Sequence, residues 1–182
     1  MRSSAIVLVE GVSDQRAVEA LAVRRGRDLA AEGVSVVAIG GAGNIRRFLA
    51  ELVPNGVRVA GLCDAGQAAD FRAAVAEAGL GSDLEEAGFF VCDADLEDEL
   101  IRSLGAARVE AIVEAEGELG RFRTFQNQPA QRARSVEAQL RRFMGTRGGR
   151  KIQYAPALVA ALDLTRVPRP LDAVLRVCGS RG

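Results

Sequence analysis

Four short apolar runs, at residues 5–9, 34–39, 57–62 and 88–92, alternate with stretches of helical periodicity through the first hundred residues. A continuous apolar run marks a strand buried on both faces, and strand–helix alternation requires parallel strands joined by right-handed crossovers. The expected fold class is therefore α/β, a parallel sheet flanked by helices. Three of the runs end in carboxylates: Glu10 with Asp14, then Asp64, then Asp93, Asp95 and Glu97. In a parallel sheet the C-terminal strand ends share one edge, where α/β proteins bind ligands. Converging carboxylates suit a hard cation such as Mg2+, which commonly works on phosphates.

From Leu96 onward the strand signal disappears. Helices are predicted near 96–104, 106–119, 132–144, 150–162 and 170–177, with breaks at Gly105, Gly120, Pro129, Gly148-Gly149 and Pro168/Pro170. The expected organisation is an α/β core over 1–104 and an arginine-rich helical extension over 105–182, packed on the core. Ser13 is a candidate cap for the first helix. The Gly40-Gly41-Ala42-Gly43-Asn44 segment reads as a strand-to-helix turn, with a phosphate-binding role for its N–H groups as the alternative.

Composition removes several chemistries. The chain of 182 residues has no histidine, so Ser-His-Asp and Cys-His schemes are excluded, as are histidine-ligated zinc sites. It contains no Gly-x-x-x-x-Gly-Lys-Ser/Thr run and thus no P-loop. Cys63, Cys92 and Cys178 have no metal-type spacing, and two of them end strands, which suits reduced core residues. No apolar stretch approaches the roughly 20 residues of a membrane span. Met1-Arg2-Ser3-Ser4 runs into the first strand without a signal-type apolar region, so a cytoplasmic location is expected.

The zero net charge conceals an asymmetry. Residues 1–120 hold 21 acidic and 11 basic side chains, whereas residues 121–182 hold 3 and 13. An acidic, cation-seeking half beside a basic half suits a polyanion held next to the ions that cleave it. Arg121, Arg123, Arg132, Arg134, Arg147 and Arg150 are the candidate nucleic-acid contacts, within a basic stretch that also contains Arg141 and Arg142. Phe122, Phe125 and Phe143 in the same stretch are expected in the core. Lys151 is the only lysine among 24 basic residues, and lysine, unlike arginine, offers a compact ammonium.

The segment Val7-Leu8-Val9-Glu10-Gly11-Val12-Ser13-Asp14 resembles the opening motif of TOPRIM domains, where a strand delivers a glutamate and glycine allows a tight turn. Val37-Ala38-Ile39-Gly40-Gly41, Asp95-Leu96-Glu97-Asp98-Glu99-Leu100 and Gly149-Arg150-Lys151 extend the resemblance to the nuclease domain of the OLD (overcoming lysogenization defect) family. Together these segments cover about residues 5–162.

The resemblance implies a TOPRIM-like sheet and metal-dependent cleavage or nicking of DNA, RNA being a further substrate, with one or two Mg2+ or Mn2+ ions. On that pattern Glu10 and Asp14 bind one metal and Asp64 a second, while Asp95 and Glu97 complete the cage. Glu10 acts as ligand or general base, and Lys151 faces the scissile phosphate. Typical members join this domain to an ATPase, so the chain is expected to be a stand-alone form, with a separate ATPase subunit and a homodimer as candidate partners and no membrane. One departure is expected to weaken activity: TOPRIM domains carry Asp-x-Asp on the third strand, whereas this chain reads Asp64-Ala65-Gly66, leaving Asp70 or a water as substitute. The competing readings are a catalytically weak or inactive nucleic-acid-binding module and a nuclease subunit that needs its ATPase partner.

Overall fold

The structure, a computed structural model, describes residues 5–179; the Met1-Arg2-Ser3-Ser4 lead-in lies outside the described residues. Four parallel strands, β1 (Ala5–Val9), β2 (Val34–Ala38), β3 (Arg58–Asp64) and β4 (Phe89–Cys92), form one sheet in the order β2-β1-β3-β4. Val9 stands beside Ala38 on one side and Leu62 on the other, and Asp64 stands beside Cys92. This register brings the ends of β1, β3 and β4 to one edge. The third strand runs two residues beyond the predicted 57–62, so Asp64 itself is part of the ladder.

Helices α1 (Val12–Arg24), α2 (Ile45–Leu52), α3 (Ala68–Glu77), α4 (Leu96–Leu104), α5 (Ala106–Ala115), α6 (Leu119–Gln126), α7 (Val136–Gly145), α8 (Arg150–Ala161) and α9 (Arg169–Gly179) cover the sheet. Successive strand side chains face opposite ways. Leu8 packs with Ile45, Leu49, Phe71 and Phe89 in one layer, whereas Val7 and Val9 pack with Val18, Leu21, Leu158 and Val174 in the other. The continuous apolarity of β1 thus serves two cores. At Gly61 a Cβ would lie 2.5 Å from the Phe89 ring and 2.9 Å from the Leu8 carbonyl oxygen, so only glycine lets the ring lie flat on β3.

The helical extension shares its core with the sheet. Leu158 and Val159 of α8 and Leu171, Val174 and Leu175 of α9 belong to the same cluster as Val7, Val9 and Leu62. Arg24 of α1 donates to the carbonyls of Val159 (2.8 Å) and Leu162 (2.7 Å), tying α1 to the end of α8.

Three boundaries differ from expectation. The first helix starts at Val12 with Gly11 as its cap residue, so Ser13 lies inside the helix; the Gly11 N–H donates to the Asp14 carboxylate at 2.9 Å. The helix predicted over 106–119 ends at Ala115, because Gly117 takes φ 73°, and α6 then begins at Leu119 with Gly120 inside it. The helix predicted from residue 132 begins at Val136, where the Ser135 hydroxyl accepts the Ala138 N–H. Among the described residues, no helix is long and apolar enough to cross a membrane.

Candidate active site

At the end of β1 the chain is held before it enters α1. Ile39 N–H donates to the Val9 carbonyl (2.8 Å), and Gly40 and Gly41 N–H both donate to the Glu10 carbonyl (3.1 Å each). Gly40 and Gly41 have φ of 74° and 109°, which favour glycine, and Asn44 closes the loop by donating to the Ile39 and Gly40 carbonyls. The glycine-rich loop is therefore a turn that anchors Glu10, and the Gly40 and Gly41 N–H groups are already committed. The chain bends at Glu10 and Gly11, and Gly11 does so with an extended φ of −134°, without the left-handed backbone that requires glycine.

Glu10 reaches across to β3, where its Oε1 accepts the Asp64 N–H at 3.1 Å. Asp14, in the first turn of α1, accepts the Gly11 N–H and feels the Glu10 charge. From β4 the chain enters α4 through Asp95, which caps the helix by accepting the Asp98 N–H at 2.9 Å, and Glu97 in the first turn is 4% exposed. Lys151, the second residue of α8, donates to Glu97 Oε2 at 2.9 Å and lies 3.9 Å from Asp95. Arg141 of α7 donates Nε to Asp95 Oδ2 at 2.9 Å, and its Nη2 lies 2.8 Å from the same oxygen in an ion pair.

Burial and mutual repulsion set the protonation of this group. Burial, then Glu97 and Glu10, push the Asp14 carboxyl up to about 7 against the Gly11 N–H and Lys151. Burial, then Glu10, Asp14, Asp95 and Glu97, push Asp64 up to about 7 as well. Glu10 is raised by burial, with the Asp64 N–H and Lys151 opposing. Burial works against the Lys151 ammonium, but Glu97, Asp95 and Asp14 outweigh it and hold its pKa above the usual lysine range. Glu10, Asp14, Asp64, Asp95, Glu97 and Lys151 thus lie within one another's electrostatic reach.

The donor set is all oxygen and strongly acidic, which in chemistry fits a hard divalent cation. Among the described residues, no three carboxylates or thiols are arranged to enclose an ion as they stand. Lys151 and Arg141 supply positive charge to the acids. Asp70, considered as a substitute for the missing third-strand aspartate, is exposed on α3 and is not among the acids that raise Asp64. A side chain at Gly66 would meet open space.

The six arginines proposed as nucleic-acid contacts differ in burial and in partners. Arg150 is 7% exposed and paired with Glu118 at 2.9 Å, with its guanidinium 4.1 Å from the Phe143 ring centre; it is a core residue, and a contact to nucleic acid is corrected on that ground. Arg121 pairs with Glu118 (3.3 Å) and Arg123 with Glu110 (2.8 Å), both on α6. Arg132 and Arg134 donate to the carbonyls of Asn127 and Ala130, and Arg147 is exposed between α7 and α8. Arg134 lines a cleft of about 650 Å3 between α4 and α7, with Asp95, Arg102, Arg141, Arg142 and Lys151. Arg141 was legible as part of a basic stretch, but no spacing rule placed it on Asp95. Phe122, Phe125 and Phe143 pack on one another in the core, as expected. Cys63, Cys92 and Cys178 are buried and unpaired.

Residues 3–65 match the family model of the overcoming lysogenization defect protein-like TOPRIM domain, a segment that contains Glu10, Asp14 and Asp64. No curated protein matches the chain. Among solved structures, the C-terminal region of the Xanthomonas campestris pv. campestris OLD protein aligns with a TM-score of 0.75 at 22% identity, covering 97% of this chain and 92% of that one. The C-terminal region of the Burkholderia pseudomallei OLD protein aligns with a TM-score of 0.72 at 19% identity, covering 98% of each. Similarity at this identity speaks for the fold, which extends well past the segment matched in sequence. Residues 3–65 thus resemble an OLD-like TOPRIM domain, in a chain whose fold is that of the C-terminal regions of OLD proteins.

Proposed function

We propose that the chain is a divalent-cation-dependent nuclease that hydrolyses phosphodiester bonds of DNA, with RNA as a second substrate to be tested. The observation that carries this reading is the meeting of Glu10, Asp14, Asp64, Asp95 and Glu97 at one sheet edge around a lysine. The family-model match, which points to a nuclease-type metal-binding domain, agrees with it. Glu10, Asp14, Asp64, Asp95 and Glu97 would hold one or two Mg2+ or Mn2+ ions. Such ions, when bound, polarise a phosphate and lower the pKa of a water.

The chain's own residues supply the rest. The Asp64 N–H fixes Glu10 Oε1, which leaves Oε2 to meet a cation or take a proton from the attacking water. Lys151, steered by Glu97, carries a compact positive charge for a non-bridging phosphate oxygen. Arg134 and the α4–α7 cleft lie next to this point and suit the continuing phosphate backbone. Plasmid DNA should be cleaved or nicked in Mg2+ or Mn2+ and left intact in EDTA. Glu10→Gln and Asp64→Asn should each lower the rate by about 100-fold or more, with melting temperatures that still report a folded protein. Undiminished cleavage by both variants would remove these residues from the active site.

Gly66 supports a second reading, a nucleic-acid-binding module with little turnover or one that turns over only beside an ATPase partner. It predicts salt-sensitive DNA binding without cleavage in any cation, or cleavage that begins on addition of the partner.

A further inference from the structure

The cleft between α4 and α7 opens directly onto Asp95 and Lys151. Its basic side chains differ in what they touch. On the α4 wall Arg102 is committed to Asp98 (2.8 Å), Glu99 (3.0 Å) and Asp93 (3.0 Å). Arg142, exposed on α7, makes no ion pair among the described residues. Arg141 donates Nε to one oxygen of Asp95, Oδ2, and holds Nη2 2.8 Å from the same atom, while Asp95 Oδ1 is held by the Asp98 N–H. The guanidinium of Arg141 therefore sits on the oxygen that a cation would need, and 40% of its side chain remains open to the cleft.

We propose that Arg141 is an exchangeable counter-ion. It neutralises Asp95 while no cation is bound, and it passes to a phosphate of the nucleic-acid strand in the α4–α7 cleft once a cation takes Asp95. The inference rests on the nuclease reading above and adds to it the route of the strand and the group that hands over. Arginine suits the role, because the same planar fork that donates to a carboxylate donates to a phosphate. Lys151 suits the role less, because its ammonium is shared between Glu97 (2.9 Å) and Asp95 (3.9 Å) and lacks the planar fork. Cation and arginine then compete for Asp95 when the protein is alone, and they cooperate when a strand is present to receive the guanidinium.

The test measures binding in place of turnover. Calorimetric titration of Mn2+ into the full chain without nucleic acid should show Arg141→Gln binding the ion about threefold more tightly than wild type, the gain expected from removing one partly exposed competing pair. A fluorescent oligonucleotide titrated in Ca2+ over a salt series should bind Arg141→Gln more weakly, with the log–log salt slope reduced by about one. Arg142→Gln, on the same cleft but away from Asp95, should weaken oligonucleotide binding and leave Mn2+ affinity unchanged. A merely structural Arg141 would lower the melting temperature without tightening Mn2+, and that result overturns the proposal. So does tighter Mn2+ binding with unaltered oligonucleotide affinity. Failure of wild type to bind Mn2+ at all would overturn the nuclease reading together with this one, whereas normal wild-type binding unaffected by Arg141→Gln overturns the exchange alone.

Discussion

Asp14 and Asp64 hold protons near neutrality that ordinary aspartates lose about three pH units lower, because each is buried among other acids. Between roughly pH 4 and pH 7 the folded chain therefore binds protons that the unfolded chain has released. Their contribution to stability is full below the unfolded value and is lost as pH rises through the folded value of about 7. In EDTA, Asp14→Asn should melt a few degrees above wild type at pH 8 and show little advantage at pH 5; equal melting temperatures at pH 8 would sink this expectation. The same variant should lose the stabilisation that Mn2+ confers on wild type. Glu10, Asp14 and Asp64 were legible because strand-end acids stand next to apolar runs. Lys151 was legible because it is a lone lysine in an arginine-rich chain. The pairing of Arg141 with Asp95 was not, since a sequence shows neither which face of a helix turns inward nor which acid waits there.

At the scale of elements, Arg150 joins three helices. It donates to both Glu118 oxygens just before α6 (2.9 and 3.0 Å), to the Phe143 carbonyl in α7 (2.8 Å) and to Thr146 Oγ1 (2.6 Å), and Tyr154 donates to Glu118 at 3.1 Å. The Arg150 contacts hold Glu118 below the usual carboxylate range. Removing one member of a buried pair strands the other, so Arg150→Met should cost about 3–5 kcal/mol. The double variant Arg150→Met, Glu118→Leu should cost less than the sum of the two single changes. Urea denaturation of the four proteins of that cycle measures the coupling, and a value near zero would show that the pair does not bind the helices together. The strands were readable from the sequence because buried parallel strands have no polar alternation to blur them. Helix α6 was not, because Gly120 looks like a stop and its eight residues offer too few apolar positions to outweigh it.

At the scale of the molecule, the extension completes the core that the sheet begins. Leu158 of α8 is fully buried in the cluster that holds Val7, Val9 and Val18. Leu158→Ala should destabilise the whole chain by about 2–5 kcal/mol. Unfolding should remain a single transition for fluorescence and circular dichroism alike; a separate early loss of the helices would show that sheet and extension fold independently. The change from strand–helix alternation to helices alone marked an extension packed on the core from about residue 105, but not which of its side chains enter the sheet's own cluster. Helix α8 also carries Lys151 back to acids that precede it by as many as 141 positions, since Glu10 lies at the end of the first strand. A chain still being made therefore presents its carboxylates long before the ammonium that offsets them has been synthesised. Until α8 has been made those acids have no ammonium beside them, and the centre is assembled only together with the core that α8 completes.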